Sequence, residues 1–245
     1  MDDLPDWFGP AVAEDYDRDD DVRFTAEHLA LESAFLADLA GERGCALEFA
    51  VGTGRIALPL RERGVEVHGI DLSEAMVARL RSKTPDVPVV VGDFTSTRVQ
   101  GVFDLVYLVF NTIGNVTSQN AQVATFVNAA RHLRAGGRFV VETQVPGVAR
   151  VAPGERFGVF RHDTRGVGYD EFDRVTQQMW SHHVALGEGG RGERRSVPFR
   201  YAWPAELDLM ARLAGMHLQQ RWAWWDRAAF TDTSTSHVSV WARPD

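Results

Sequence analysis

The chain has 245 residues, 44% hydrophobic and 24% charged, which favours one domain with a full core and an insertion over two equal domains. Its formal net charge of −8 argues against nucleic acid as a partner, and its only cysteine, Cys45, excludes a disulfide framework. No apolar run approaches the roughly 20 residues of a membrane span and no basic, apolar leader is seen, so we expect a cytoplasmic protein without a membrane partner.

Helix and strand patterns alternate along most of the chain. Apolar residues recur at helical spacing in four segments, 25–40, 73–82, 119–133 and 204–214. Strand-like runs lie between them, and this alternation predicts an α/β fold with a mostly parallel sheet and helices on both faces. Between Pro146 and Trp203 the pattern changes to two strand-like stretches, which predicts an antiparallel β insertion.

The stretch from Glu48 to Asp71 predicts a site for a ligand that carries adenosine. An apolar strand runs directly into Gly52 and Gly54, where glycine permits a left-handed backbone and close approach to a ligand. A short helix and a second strand follow, and this second strand ends at Asp71. In an open parallel sheet, ligands bind at the carboxyl ends of the strands, where a carboxylate can accept both ribose hydroxyls.

Two classes of ligand are compatible with this stretch. Gly52, Gly54 and Ala57 satisfy a dinucleotide fingerprint, so a nicotinamide-dependent reductase is one interpretation. Glu48 favours another, because a carboxylate on the first strand suits an ammonium group better than a phosphate. S-adenosylmethionine carries an ammonium and a sulfonium and has no phosphate.

The motifs themselves resemble those of a known enzyme family. Residues 47–83, LEFAVGTGRIALPLRERGVEVHGIDLSEAMVARLRSK, resemble the first two motifs of class I S-adenosylmethionine-dependent methyltransferases. The resemblance is to the bacterial small-molecule branch in particular, which includes aminosugar N-methyltransferases of antibiotic biosynthesis. It continues through 89–94, 103–111 and 132–142, which are similar to the third motif and the fourth and fifth strands. One departure is Ala50-Val51, where the family often has Gly-Cys or Ala-Cys.

This resemblance implies a Rossmann-like, mostly parallel seven-stranded sheet and S-adenosyl-L-methionine as the cofactor. It places Asp71 at the ribose, Asp93 at the adenine amino group and Phe94 beside the adenine ring. Tyr16 resembles the aromatic residue that closes over the cofactor in this family. The residues predicted to bind the cofactor are Tyr16, Glu48, Ala50, Gly52, Gly54, Asp71, Leu72, Asp93, Phe94 and Phe110.

We predict three segments in the chain. Residues 1–145 form an N-terminal segment and the cofactor-binding core, 146–203 the antiparallel β insertion, and 204–245 the final helix and the last two strands of the core. The insertion is predicted to be a cap over the active face or a dimer contact, so the chain is expected to be a monomer or a homodimer.

The acceptor side is predicted from position in the fold, without a motif. Methyl transfer from a sulfonium needs alignment of the acceptor with the methyl group, and a base near the working pH helps to remove a proton. The candidates for this base are His237, Glu142 and His183. The candidates for binding the acceptor are Asn111, Gln144, Trp225 and Phe230.

We therefore predict a methyltransferase that acts on a nitrogen or oxygen of a small molecule. The fourth strand ends Asn111-Thr112-Ile113-Gly114, unlike the Asn/Asp-Pro-Pro-aromatic signature of enzymes that methylate base amines, and this also argues against nucleic acid. The sequence has no zinc-type cysteine or histidine spacing, so we expect no metal. The alternatives are a nicotinamide-dependent reductase and a methyltransferase-like binding protein without turnover.

Overall fold

A computed structural model describes residues 9–18, 22–164, 166–187 and 192–245. These residues form six α-helices: α1 (Pro10–Asp15), α2 (Ala26–Ala40), α3 (Ala57–Glu62), α4 (Glu74–Lys83), α5 (Gln119–His132) and α6 (Pro204–Leu213). They also form eleven strands: β1 (Cys45–Phe49), β2 (Glu66–Asp71), β3 (Val89–Val91), β4 (Phe103–Leu108), β5 (Leu133–Gln144), β6 (Phe157–Asp163), β7 (Gly166–Phe172), β8 (Gln178–Leu186), β9 (Gly192–Arg200), β10 (His217–Trp222) and β11 (Ser236–Ala242). The four helical segments predicted from apolar spacing correspond to α2, α4, α5 and α6. Every helix in the described ranges is too short or too polar to span a bilayer.

The larger sheet has seven strands in the order β10-β11-β5-β4-β1-β2-β3. Strands β1 to β5 are paired in parallel, while β11 runs antiparallel to both β5 and β10. This confirms the predicted mostly parallel seven-stranded sheet. The strand order reverses between β1 and β4, and in open α/β sheets the ligand site lies at the carboxyl ends of strands at such a reversal.

Helices cover both faces of this sheet, because each face carries a continuous set of buried apolar side chains. On one face, Phe35 and Leu36 of α2 pack with Leu60 of α3 and Leu80 of α4. On the other face, side chains of α5 and α6 pack with β5 and β11, and Trp241 is fully buried there. The two clusters hold the strand ends in fixed positions, and the site residues lie at these strand ends.

A second, smaller sheet of four antiparallel strands lies between β5 and α6, in the order β6-β7-β8-β9. It confirms the predicted antiparallel insertion before the last helix. The sequence pattern did not separate β7 from β8, whose turn is closed by the Asp173 carboxylate accepting the backbone N–H of Val175 at 2.8 Å. The segment boundaries at 146 and 203, and the role of the insertion as cap or dimer contact, stay predictions.

A buried arginine attaches the end of β9 to the helices of the core. Arg200 is 4% exposed, and its guanidinium donates to Gln122 of α5 at 2.5 Å and to Glu206 of α6 at 2.7 Å. The preceding residue, Phe199, lies against Gly114, where an added Cβ would be only 3.0 Å from the Phe199 ring. The smaller sheet is thus anchored beside the exit of β4, at the ligand-binding edge of the larger sheet.

Candidate functional site

The turn after β1 combines three backbone positions of positive φ. Ala50, Gly52 and Gly54 have φ of 56°, 56° and 86°, and the turn is closed by the Gly54 N–H donating to the Val51 carbonyl at 3.0 Å. A left-handed backbone is unfavourable for alanine, and such strain is found where the surrounding structure holds a functional turn in place. A Cβ added to Gly52 would meet no atom within 4 Å, so open space lies next to this turn.

Asp71, at the end of β2, holds the glycine turn in position. One of its carboxylate oxygens accepts the Gly52 N–H at 2.7 Å and the other accepts the Ser73 N–H at 2.8 Å. Burial raises the pKa of Asp71, and these backbone donors oppose that shift. A carboxylate has about four acceptor positions, so its backbone donors leave room for a ligand hydroxyl group at Asp71.

The neighbouring strand ends add apolar surface beside Asp71. Leu72, the residue directly after β2, is 64% exposed. Phe94 stacks on the ring of Phe49 with centroids 5.5 Å apart and planes at 16°. Asp93 is exposed, and its carboxylate accepts the Thr95 N–H at 2.8 Å, which fixes its orientation. These groups follow the neighbouring strands β2 and β3, so they add apolar and carboxylate side chains at the same edge of the sheet.

Glu48 lies deeper, on β1, and is 3% exposed. Its carboxylate accepts the hydroxyl proton of Tyr107 at 2.9 Å. Burial raises the pKa of Glu48 to about 8, although Tyr107 and the charge of Arg55 oppose this shift. A buried carboxylate of this kind is stabilised when a cationic group is placed beside it.

Three aromatic rings meet where the N-terminal segment crosses the site. Tyr16 lies 5.5 Å from Phe24 and 6.4 Å from Phe110, measured between ring centroids, in edge-to-face contacts. The guanidinium of Arg23 lies 3.9 Å from the centroid of the Phe110 ring. Burial raises the pKa of Tyr16 to about 12, so its phenol is neutral at physiological pH. The structure thus brings together Tyr16 and Phe110, two of the predicted cofactor residues.

Polar contacts attach the same N-terminal segment directly to the glycine turn. The Thr53 hydroxyl donates to the Asp17 carboxylate at 2.6 Å, and the Lys83 ammonium donates to both Asp17 and the Thr53 carbonyl at 2.8 Å. The pKa of Asp17 is lowered, because hydrogen bonds from Lys83 and Thr53 outweigh the effect of burial. We call these three residues the latch.

Glu142, at the end of β5, determines the backbone path after β4. Its carboxylate accepts the N–H of Phe110 at 2.6 Å and that of Asn111 at 3.3 Å. Phe110 and Asn111 both have positive φ, 62° and 58°, so this carboxylate stabilises a strained backbone. Burial raises the pKa of Glu142. Its predicted role as a base stays a prediction, and its contacts are those of a positioning residue.

The side chain of Asn111 connects the ends of β4 and β5. Its carbonyl oxygen accepts the Thr143 hydroxyl proton at 2.6 Å and the Gln144 backbone N–H at 3.2 Å. Asn111 and Gln144, both predicted to bind the acceptor, therefore lie side by side at the ligand-binding edge of the sheet.

His237 is the second residue of β11 and pairs with Thr143 of β5, so both side chains lie on the same face of the sheet. Its Nδ1 lies 2.8 Å from the Ser239 hydroxyl oxygen, which accepts the Arg221 Nε–H at 2.8 Å. A serine hydroxyl that accepts from Arg221 can donate its own proton to His237 Nδ1, and this arrangement leaves the imidazole proton on Nε2. His237 Nε2 is buried and has no hydrogen-bond partner in the described structure.

Comparison with known proteins identifies the family to which this geometry belongs. Residues 46–137 match the family described as a methyltransferase domain. The CcbJ methyltransferase from Streptomyces caelestis has a TM-score of 0.84 and 35% identity, over 97% of this chain and 98% of that one. The chain belongs to the class I S-adenosylmethionine-dependent methyltransferases.

Two other similar proteins are named for what they methylate. The cypemycin N-terminal methyltransferase of a Streptomyces species is 29% identical over 210 residues, 80% of this methyltransferase and 78% of the relative. CalS10, an amino pentose methyltransferase from Micromonospora echinaspora solved with S-adenosylmethionine, shares the fold, with a TM-score of 0.70 and 20% identity over 99% of both chains. The cofactor is S-adenosylmethionine, which decides against the nicotinamide alternative.

The residues of this methyltransferase fit that cofactor. Open space next to Gly52 allows a ligand to approach the backbone, and the exposed Leu72 beside Asp71 offers an apolar surface for a base. The raised pKa of Glu48 shows a buried carboxylate that an ammonium group would stabilise. The individual cofactor contacts stay predictions. The structure nevertheless brings the residues predicted to bind the cofactor to one edge of the larger sheet, at the carboxyl ends of its parallel strands.

Two of the predicted acceptor-side residues lie elsewhere. Trp225 is 2% exposed and packs edge-to-face on Phe35 of α2, inside one of the two core clusters. His183 is exposed on β8 and pairs with Arg195 of β9. Arg195 is five residues, or about 16 Å, along β9 from Arg200, which marks the end of the strand that is anchored beside the site. Phe230 does lie beside His237, in an edge-to-face contact with ring centroids 5.7 Å apart. Catalytic or acceptor contacts of Trp225 and His183 stay predictions that no contact supports.

A buried ion pair beside the site was not predicted from the sequence. Arg55 donates to both carboxylate oxygens of Glu32, at 2.9 and 3.2 Å, and its guanidinium lies 4.7 Å from the Phe110 ring centroid. Burial raises the pKa of Glu32 to about 7 despite this pairing. The position of Arg55, directly after the second glycine, is a signal that the sequence contains. No local pattern indicates that its partner is Glu32 of α2.

Protonation of His237 is expected to oppose folding at acidic pH. Burial, with the charge of Arg221, lowers the pKa of His237 from 6.5 to about 3. Between these values the unfolded chain binds a proton that the folded chain does not, so stability falls as pH falls, by about 1.4 kcal/mol per pH unit. Urea unfolding from pH 6.5 down to about pH 5 should show this loss in the wild type relative to His237→Gln. Equal pH dependence in the two proteins would show that His237 does not cause the loss.

Proposed function

We propose that this methyltransferase transfers the methyl group of S-adenosylmethionine to an amine nitrogen of a small molecule. The observation that carries the proposal is the hydrogen bonding of the two groups at the acceptor side that were candidate bases. Glu142 accepts the backbone N–H groups of Phe110 and Asn111, and the Nδ1 of His237 is hydrogen-bonded to the Ser239 hydroxyl.

These hydrogen bonds of Glu142 and His237 favour nitrogen over oxygen as the acceptor atom. An alcohol must lose its proton to a base as it attacks, whereas an unprotonated amine already has a free lone pair. The pKa of His237, lowered to about 3 by burial, makes it a weak base at neutral pH. Two related proteins support the choice, because their names specify an N-terminal amine and an amino pentose.

The residues of the chain have separate roles in this reaction. When bound, S-adenosylmethionine supplies an electrophilic methyl group on a sulfonium. The glycine turn, Asp71 and Glu48 would hold the adenosine and the ammonium, while Tyr16 and Phe110 exclude water from the site. Asn111 and His237 Nε2–H would orient the acceptor, and alignment of this kind contributes several kcal/mol to catalysis, up to about 7 to 11 kcal/mol in the best cases.

A panel of matched acceptors tests the proposal. We expect methyl-labelled S-adenosylmethionine to label primary or secondary amines, including amino sugars and amino-terminal peptides, but not the alcohols or carboxylates of the same carbon frame. Labelling of alcohols alone would overturn the choice of nitrogen. Cofactor binding by calorimetry without transfer to any acceptor would support the alternative of a binding protein.

Variants of His237 distinguish a donor from a base. Alanine removes the Nε2–H group and is expected to lower kcat/KM by roughly fivefold, the effect of about 1 kcal/mol of lost hydrogen bonding. Glutamine, whose amide can donate, should recover part of this loss. Cofactor affinity and the shape of the pH–rate profile should stay unchanged in both variants, whereas loss of an acidic limb of the profile would show that His237 is a base.

A further inference from the structure

Cys45, Glu66 and His68 form a cluster at the sheet edge opposite the glycine turn. Cys45 is the first residue of β1 and pairs with Glu66, the first residue of β2. His68 follows two residues later on β2, so its side chain lies on the same face as that of Glu66. The Cys45 sulfur, a carboxylate oxygen of Glu66 and a ring nitrogen of His68 all lie within 4.8 Å of one another.

The donor set matches a transition-metal site, and the spacing of its atoms is close to that of one. Thiolate, imidazole and carboxylate are the ligands that zinc takes, and its bond lengths place tetrahedral ligands about 3.3 to 3.8 Å apart. The His68 Nε2 and the Glu66 carboxylate are 2.8 Å apart, so small side-chain rotations bring the three donors to these separations. A soft sulfur ligand disfavours magnesium and calcium.

The positions of these donors are fixed by the fold around them. The backbone N–H of Cys45 donates to the Asp104 carboxylate at 2.8 Å, and the His68 ring packs edge-to-face on Phe103 with centroids 5.3 Å apart. Burial and the charges of Glu66 and Asp104 raise the pKa of the Cys45 thiol to about 11. The negative charges of Glu66 and Asp104 disfavour a thiolate when no cation is bound, but they attract a divalent cation. The positive charge of that cation would then lower the pKa of the thiol.

We propose that Cys45, Glu66 and His68 bind a zinc ion, with water completing the coordination, and that this ion joins the starts of β1 and β2. Binding releases the thiol proton to solvent and leaves the imidazole neutral, so the affinity rises with pH. Glu66 is 70% exposed, which gives the ion a path from solvent. The site lies at the opposite ends of the strands that carry Glu48 and Asp71, so it is independent of the proposed function.

Metal binding by the folded protein tests the site directly. After treatment with a chelator, the wild type is dialysed against zinc and its metal content is measured, and cobalt is then used as a spectroscopic substitute. We expect about one equivalent of zinc and a thiolate-to-cobalt charge-transfer band in the near ultraviolet. Cys45→Ser and His68→Gln should each bind zinc at least tenfold more weakly, by the same assay, whereas the control His217→Gln, an exposed histidine of β10, should bind as the wild type does.

Equal zinc binding by the wild type and both site variants would overturn the proposal, as would a cobalt spectrum without the thiolate band. Circular dichroism of each variant establishes that it is folded, and a Cys45→Ala variant provides a second test if serine at this position disrupts the strand. Methyl transfer is measured separately on the same samples. Failure of the acceptor panel therefore leaves the zinc result unaffected, and the reverse also holds.

Discussion

Replacing Arg200 with alanine is expected to lower the free energy of unfolding by about 3 to 5 kcal/mol, the cost of removing one partner of a buried ion pair. The Arg200 guanidinium reaches Gln122, Gln177 and Glu206 at 2.5, 3.1 and 2.7 Å. Without it, the Glu206 carboxylate loses its cation, and the amide oxygens of the buried Gln122 and the partly buried Gln177 lose a charged donor. The loss is therefore larger than that of a single hydrogen bond.

Urea unfolding measures this effect against a matched arginine directly before the first strand of the same small sheet. Arg156 pairs with Glu171 at 2.7 Å, but its side chain is 65% exposed. Arg156→Ala is therefore expected to cost at most about 1 kcal/mol. Limited proteolysis should also cleave the smaller sheet faster in the Arg200 variant. If the two variants are equally stable, the anchoring role assigned to Arg200 is wrong.

Replacing Asp71 with alanine is expected to weaken S-adenosylmethionine binding by roughly 2 kcal/mol, or about 30-fold, the scale of a lost charge-assisted hydrogen bond. The structure adds a second reason for the loss. The Asp71 carboxylate accepts the N–H groups of Gly52 and Ser73, so its removal also releases the glycine turn that the cofactor approaches.

Isothermal titration calorimetry with the wild type, Asp71→Ala and Asp71→Asn checks this prediction. Asparagine keeps one carbonyl oxygen and should bind with intermediate affinity. Asp86→Ala is the control, because Asp86 is an exposed carboxylate whose nearest cation, Arg61, is 3.5 Å away. An unchanged affinity for Asp71→Ala would remove this residue from the ribose site.

Elements with strong local signals were predicted well from the sequence. The helix expected over 25–40 is α2, Ala26–Ala40, because the Thr25 hydroxyl accepts the His28 N–H and Gly41 ends the helix at φ 82°. Strand β6, Phe157–Asp163, was not predicted. A register shift between Val159 and Arg161 leaves the consecutive residues Val159 and Phe160 both exposed, so the alternation typical of a strand is lost.

The same contrast holds for the site. The cofactor side was predictable because Glu48, the glycine turn and Asp71 belong to one continuous strand-turn-helix-strand unit. The acceptor side depends on distant pairings, such as His237 with Thr143, and no local pattern encodes them. The contact of Glu142 with the Phe110 backbone and the bond from Arg221 to Ser239 are equally non-local. A tryptophan in the core, such as Trp225, also has the same sequence signature as one that lines a pocket.

The latch formed by Asp17, Thr53 and Lys83 has a consequence for the kinetics of the enzyme. The segment that carries Tyr16 rests on the glycine turn through these contacts, so we expect them to break each time S-adenosylhomocysteine leaves. The Lys83 and Asp17 side chains are both partly exposed, at 28% and 26%, and salt screens such a pair. Where product release limits turnover, moderate salt should therefore raise the turnover rate. The N-terminal segment would then determine this rate without contacting the acceptor.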